Sequence, residues 1–283
     1  MSLFTKLDVG RVLIAVLLTV FLSAAGCSAD KPANPSFALT YSDAKVALAQ
    51  MRKDPKPLHR PLIIAGGYQD PGLIAPGIAS EFRKLTGETD GIISVTYFSI
   101  SGTFDSCSKR LVDAVQQKYP SDNPSETIEV DVVGYSMGGL VARLAAHPKD
   151  GKRRLRINRL FTISTPHRGA NLAGMPTADT RQIDMRAGSA FLQLLDQQLL
   201  QANYKLFTYS RLGDLIVGVE NTSPPGVNPW WVANPPFSLS HVAACKDPRI
   251  LADIARRVRG EAPYATTPAA PLPSEEAQRP ENP

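Results

Sequence analysis

The chain has 283 residues, 43% of them hydrophobic and 20% charged. That balance excludes a wholly disordered chain, a collagen-like fibre and a polytopic membrane protein, and three cysteines exclude a disulfide-dense scaffold. The net charge of +5 is unevenly placed, with Lys149, Lys152, Arg153, Arg154, Arg156 and Arg159 in one stretch. No nucleic-acid recognition motif accompanies them, so the cluster reads as a solvated connection and no nucleic-acid partner is expected.

Lys6 and Arg11 flank the start of an apolar run, Val12 to Leu22. The run is too short to cross a hydrocarbon core of about 30 Å as a helix and suits the central part of a secretory signal, residues 1–26. Ser23-Ala24-Ala25-Gly26-Cys27 resembles the lipobox of bacterial lipoproteins. That resemblance implies cleavage before Cys27, acylation of Cys27 and attachment to a membrane through the lipid. With Ser28 next, it implies an exported lipoprotein in the outer membrane, facing the periplasm. An ordinary signal cut near Ala25 is the alternative. Residues 27–60 carry Pro32, Pro35, Pro55 and Pro57 and read as a tether with one short helix near Ser42 to Met51. Fully extended, a stalk of that length reaches at most ~110 Å. With Cys27 lipidated, Cys107 and Cys245 remain, either paired or as two buried thiols.

The following elements alternate. Strands are expected at 61–65, 92–98, 128–133, 157–163 and 205–209, where β-branched and aromatic residues concentrate. Helices are expected at 76–85, 106–118, 137–146, 189–200 and 248–259, from apolar residues at helical spacing. This order predicts an α/β fold, a mostly parallel sheet with helices on both faces, over residues 61–260. Residues 171–203, between two strands, are expected to form a small cap whose Met175, Met185, Phe191, Leu192, Leu195 and Leu199 face either an acyl chain or the ordinary core. Trp230 and Trp231 lie in a Pro-rich loop, exposed or packed beneath it. Residues 261–283 hold six prolines and few large apolar residues, so a disordered tail is expected.

Behind the third strand stands Gly134-Tyr135-Ser136-Met137-Gly138-Gly139, a G-x-S-x-G pattern between an apolar strand and a helix. Serine on such a turn sits in strained backbone with its hydroxyl exposed, beside helix N–H groups that would receive an oxyanion. A serine hydroxyl needs a base. Of the four histidines, His59 precedes the first strand and His147 ends the helix after the serine, while His167 and His241 are the competitors. The order Ser, acid, His favours His241. The acid then lies among Asp150, Asp179, Asp184, Asp196, Asp214 and Glu220, and Asp214 follows a strand at the sheet edge where α/β folds keep their sites.

Three segments together resemble the lipase and esterase branch of the α/β-hydrolase superfamily: Val133 to Arg143 the nucleophile elbow, Ser164-Thr165-Pro166-His167-Arg168-Gly169 the segment after the next strand, and Asp184 to Leu192 the cap region. The resemblance implies Ser136 as nucleophile, His241 as base and Asp214 as its orienting acid. It places His167 outside this set. It also implies an oxyanion hole from the N–H groups of Met137 and of Tyr68, in Gly66-Gly67-Tyr68. The implied activity is hydrolysis of carboxylic esters, of small molecules or of lipids. Amide, thioester or lipid deacylation by the same residues, and an inactive binding protein, are the alternatives. Such chemistry needs no cofactor. Cysteine and histidine spacing matches no zinc site, and no phosphate-loop motif is present. Oligomeric state is left open.

Overall fold

The structure, a computed structural model, describes residues 32–98, 102–147, 152–234 and 238–274. The secretory run and Cys27 lie outside the described residues, as do Lys149 and Asp150. In chain order the described elements are α1 (Tyr41–Lys53), β1 (Leu62–Tyr68), α2 (Ile74–Thr86), β2 (Ile92–Tyr97), α3 (Phe104–Lys118), β3 (Val130–Tyr135), α4 (Met137–Ala146), β4 (Ile157–Ile163), α5 (Thr180–Asp184), α6 (Ala190–Leu199), β5 (Lys205–Arg211), β6 (Trp230–Val232), α7 (Ser240–Ala244) and α8 (Pro248–Val258).

Six described strands form one sheet in the order β2-β1-β3-β4-β5-β6, and each neighbouring pair is parallel. The chain steps from β1 outward to β2, then returns to lay β3 on the other side of β1. The strand order therefore reverses between β1 and β3, and a crevice opens at their carboxyl ends. Side-chain alternation feeds two cores. Leu62 and Ile64 of β1 join α1, α2 and α8 on one face. Ile63 and Ala65 join α3, α4 and α6 on the other. Cys245 belongs to the first core and Cys107 to the second, so the sheet separates them and both are free buried thiols.

Three expectations need correction. Residues 32–60 are not a free tether. Phe37, Leu48 and Met51 are buried in the first core, and the Asn34 side chain donates to the Trp231 carbonyl at 2.6 Å. The helix expected there is the amphipathic α1, whose apolar side is drawn onto α8. Nor is the chain after 260 a free tail as far as it is described. Ala265 bridges antiparallel to Phe37 and donates its N–H to the buried Asp253 at 2.6 Å, while the Trp230 indole donates to the Thr266 carbonyl at 2.6 Å. These contacts satisfy backbone groups without large side chains, so composition alone does not reveal them. Trp230 and Trp231 are not in a loop but in β6, and both are buried.

Of the described part of the basic stretch, Arg154 and Arg156 pair with Glu126 at 2.6 and 3.4 Å, and Arg159, inside β4, pairs with the buried Asp131. In the cap segment, Met185, Leu192 and Leu195 are buried in the second core, and Phe191 stacks on Phe104 at 4.1 Å. Met175 is exposed.

Candidate active site

Ser136 joins β3 to α4 with φ 51° and ψ −126°, a left-handed backbone that strains any residue with a side chain. The turn closes because its neighbours lack side chains. A Cβ on Gly134 would stand 2.5 Å from the Gly139 Cα, and one on Gly138 would overlap the Ala65 carbonyl of β1. The Ser136 N–H donates to the Ile163 carbonyl at 2.9 Å, and Thr165 donates its hydroxyl to the Ser136 carbonyl at 2.8 Å. The nucleophile candidate is thus held by hydrogen bonds from the end of β4 and the segment that follows it.

The structure brings His241 and Asp214 to it. The His241 Nε2 lies 3.1 Å from the Ser136 Oγ, and its Nδ1 lies 2.8 Å from the Asp214 Oδ2. An ionised carboxylate only accepts, so Nδ1 carries the proton and the Nε2 lone pair faces the serine hydroxyl. The other carboxylate oxygen accepts the N–H groups of Ile216 and Val217, each at 3.0 Å. These bonds fix the orientation of a buried acid. Tyr135 steadies the histidine from below, its hydroxyl donating to the His241 carbonyl at 3.2 Å and its ring centroid 5.4 Å from the imidazole.

Met137 is the first residue of α4, where the N–H has no partner within the helix. Tyr68 ends β1 beside Gly67, where a Cβ would come within 3.3 Å of the Ser136 Cβ. The loop that follows is tied by Asp70. Its Oδ1 accepts the N–H groups of Gly72, Leu73 and Ile74, and its Oδ2 that of Ala75, at 2.9–3.1 Å. Sequence reasoning missed this residue, although an aspartate just ahead of a helix is an N-terminal signal. It also missed the link from this loop to the cap. The Tyr68 hydroxyl donates to Asp179 at 2.9 Å, and Asp179 is gripped by the buried Arg181 at 2.6 and 3.0 Å. Burial, with Asp179 beside it, raises the Tyr68 phenol above its ordinary pKa.

The remaining candidates have other partners. His167 is fully buried, its Nδ1 2.9 Å from Arg143 and its Nε2 3.0 Å from the Thr162 hydroxyl. Arg143 also donates to the Leu195 carbonyl and to Asp196, joining α4 to α6. Burial, with Arg143 and Arg168 adding, pushes the His167 pKa well below 6.5. His147 caps the far end of α4, Asp179 caps α5, and Glu220 is exposed in a short turn. A group held neutral in the fold but titrating near 6.5 when unfolded leaves the unfolded chain with more bound protons in acid. The stability it lends is full above about pH 6.5 and is lost as pH falls below that, by at most ~1.4 kcal/mol per pH unit. Urea titrations between pH 7.5 and 5 should show that slope in wild type and a shallower one in His167→Gln. Equal slopes would mean His167 charges freely inside the fold. No cluster able to hold a metal ion occurs among the described residues.

A parallel sheet with its strand order reversed at the crevice, and a serine on a strained strand-to-helix turn facing an imidazole–carboxylate pair, define the α/β-hydrolase fold. Residues 105–182 match the PGAP1-like alpha/beta domain. The phospholipase PlaB from Legionella pneumophila, solved in complex with thio-NAD, superposes with a TM-score of 0.50 at 14% identity, covering 70% of this chain. The chain spans 58% of that protein's length. The Pyrococcus furiosus esterase PF2001 superposes with a TM-score of 0.42 at 16% identity over 71% of this chain and 82% of its own. A lipase-esterase related protein from Clostridium acetobutylicum gives 0.45 at 9% identity, over 70% and 94%. No curated protein matches the chain by sequence.

Proposed function

We propose that this chain is a serine hydrolase that cleaves carboxylic esters through Ser136, His241 and Asp214. The reading is carried by one observation, the unbroken line from the Ser136 Oγ through the His241 imidazole to the Asp214 carboxylate, at 3.1 and 2.8 Å. His241 takes the hydroxyl proton as Ser136 attacks the acyl carbonyl, and Asp214 stabilises the imidazolium. The N–H groups of Met137 and Tyr68 receive the developing oxyanion, and losing one such donor typically costs about 2.7–4 kcal/mol of transition-state stabilisation. His241 then returns the proton to the leaving alcohol. A water, activated by the same imidazole, releases the acid from Ser136.

The substrate we favour is an acyl ester with an apolar chain. Exposed large apolar residues follow the carboxyl ends of successive strands: Leu73, Phe98, Met175, Leu215, Leu239 and Val242. The carboxyl ends of the strands are where an α/β sheet keeps its site, and exposed apolar residues following them suit an apolar substrate. A fluorophosphonate probe should label wild type and leave Ser136→Ala unlabelled. Equal labelling of the two would sink the assignment.

We further propose that Cys27 is acylated and holds the protein to the outer membrane, facing the periplasm, on the strength of the small residues Ser23 to Gly26 ahead of it. Several acyl chains anchor stably, since each buried methylene contributes ~0.8 kcal/mol. Cys27→Ser should move the protein from the membrane fraction to the soluble one, or stall its signal cleavage. A variant processed normally and still in the membrane fraction would refute the anchor.

A further inference from the structure

Apart from Ser136, His241 and Asp214 lies a cavity of about 920 Å³. Its walls include Phe37 and Leu39 of the N-terminal segment, Trp231 and Val232 of β6, and Ala243 of α7. Three cations and one anion also line it: Arg211, Lys246 and Arg249 against Asp247. The single carboxylate is already spent. Asp247 Oδ1 accepts the Arg249 N–H and Nε at 3.0 and 2.9 Å, and Oδ2 accepts the Arg249 Nη2 at 2.7 Å.

Arg211 is left short. It is 4% exposed, its Nε has no hydrogen-bond partner, and that atom lies 3.7 Å from the Asp247 Oδ2, beyond hydrogen-bond reach. Its Nη2 donates to the neutral Ser238 hydroxyl at 3.1 Å. A buried guanidinium whose one carboxylate is shared with Arg249 and lies closer to that neighbour is short of neutralising charge and carries a large desolvation cost. Burial accordingly pulls the Arg211 pKa below its ordinary value, against the pull of Asp247. Lys246, exposed, adds a second positive charge to the lining.

We infer that this cavity binds an amphiphilic anion, a carboxylate or phosphate head against Arg211 and Lys246 with an alkyl body along Phe37, Leu39 and Trp231. The volume is within the range of small-molecule sites, and the pattern of apolar walls with a few convergent polar groups is theirs. A planar guanidinium suits both head groups. The site shares no lining residue with the Ser136 arrangement, and the inference does not depend on the chain being a hydrolase.

Titration calorimetry on the purified protein tests it, with decanoate, decyl phosphate and decyltrimethylammonium as probes. Trp231, on the cavity wall, should report the same events by fluorescence. Both anions should bind and the cation should not, and the tighter anion identifies the head group. Arg211→Met should weaken anion binding about ten-fold or more, the scale of one charged hydrogen bond. Ala38→Phe, placed on an exposed wall residue of the cavity, should block the alkyl chain without touching the charges. Binding of the cation as tight as that of the anions, or unchanged anion binding in Arg211→Met, overturns the proposal. Should Arg211→Met fail to fold by circular dichroism, unchanged binding in Ala38→Phe overturns it instead.

Discussion

Asp214→Asn should lower kcat on an acyl ester by about 10⁴-fold while the protein stays folded. The reason lies in how the acid is held. One carboxylate oxygen accepts the N–H groups of Ile216 and Val217, the other the His241 Nδ1–H. An asparagine keeps its carbonyl toward the two N–H groups, because its amide nitrogen cannot accept there. The NH₂ group is then aimed at Nδ1, which must accept. The imidazole proton moves to Nε2, the atom 3.1 Å from the Ser136 Oγ, and no lone pair remains to take the serine proton. Geometry survives and chemistry does not. Steady-state kinetics beside a thermal melt would check this, and a loss below ten-fold with an unchanged melt would remove Asp214 from the mechanism.

Gly138→Ala should be among the most damaging single-methyl changes in the molecule. The new Cβ would overlap the Ala65 carbonyl, and that carbonyl belongs to β1, paired on both sides within the sheet. Neither backbone can yield cheaply. Overpacking of this kind costs about 1–3 kcal/mol, and where backbone meets backbone the upper end, about 3 kcal/mol, applies, so a melting temperature roughly 6–12 °C lower is expected for a domain of this size. Gly77→Ala is the control. It lies in α2 with nothing within 4 Å of its added Cβ and should stabilise by about 0.4–1 kcal/mol. If the two variants melt alike, the tight crossing of α4 over β1 is not what fixes the turn.

Much of this architecture was legible in the residues. Ile157–Ile163 and Met137–Ala146 have the bounds their apolar patterns predict. The other strands and main helices differ by a few residues at their ends, where caps rather than periodicity decide. What escaped has a physical reason in each case. β6 is three residues long and bounded by Asn-Pro on one side and Ala-Asn-Pro on the other, so its neighbours signal a loop and only its pairing with β5 makes it a strand. The packed ends escaped because prolines satisfy a tether's composition and a docked segment's equally well. In the site, Ser136 could be picked out since its turn demands glycine at defined offsets. The Tyr68–Asp179 link was invisible, for it joins residues 111 positions apart and leaves no local spacing, whereas the Asp70 side chain bonds to residues two to five positions on and its place ahead of α2 was a signal left unread.

The docking of the N-terminal segment sets a distance. Asn34 is already fastened to β6 through the Trp231 carbonyl, only seven positions after Cys27. If the acyl chains sit on Cys27, the leash between bilayer and folded domain is at most about 25 Å when fully stretched, and not the ~110 Å of a free stalk. The body then hovers within roughly its own radius of the lipid headgroups. Its reach is a thin layer of the envelope, and esters presented by the parent membrane, or by molecules resting on it, are the ones it would meet first.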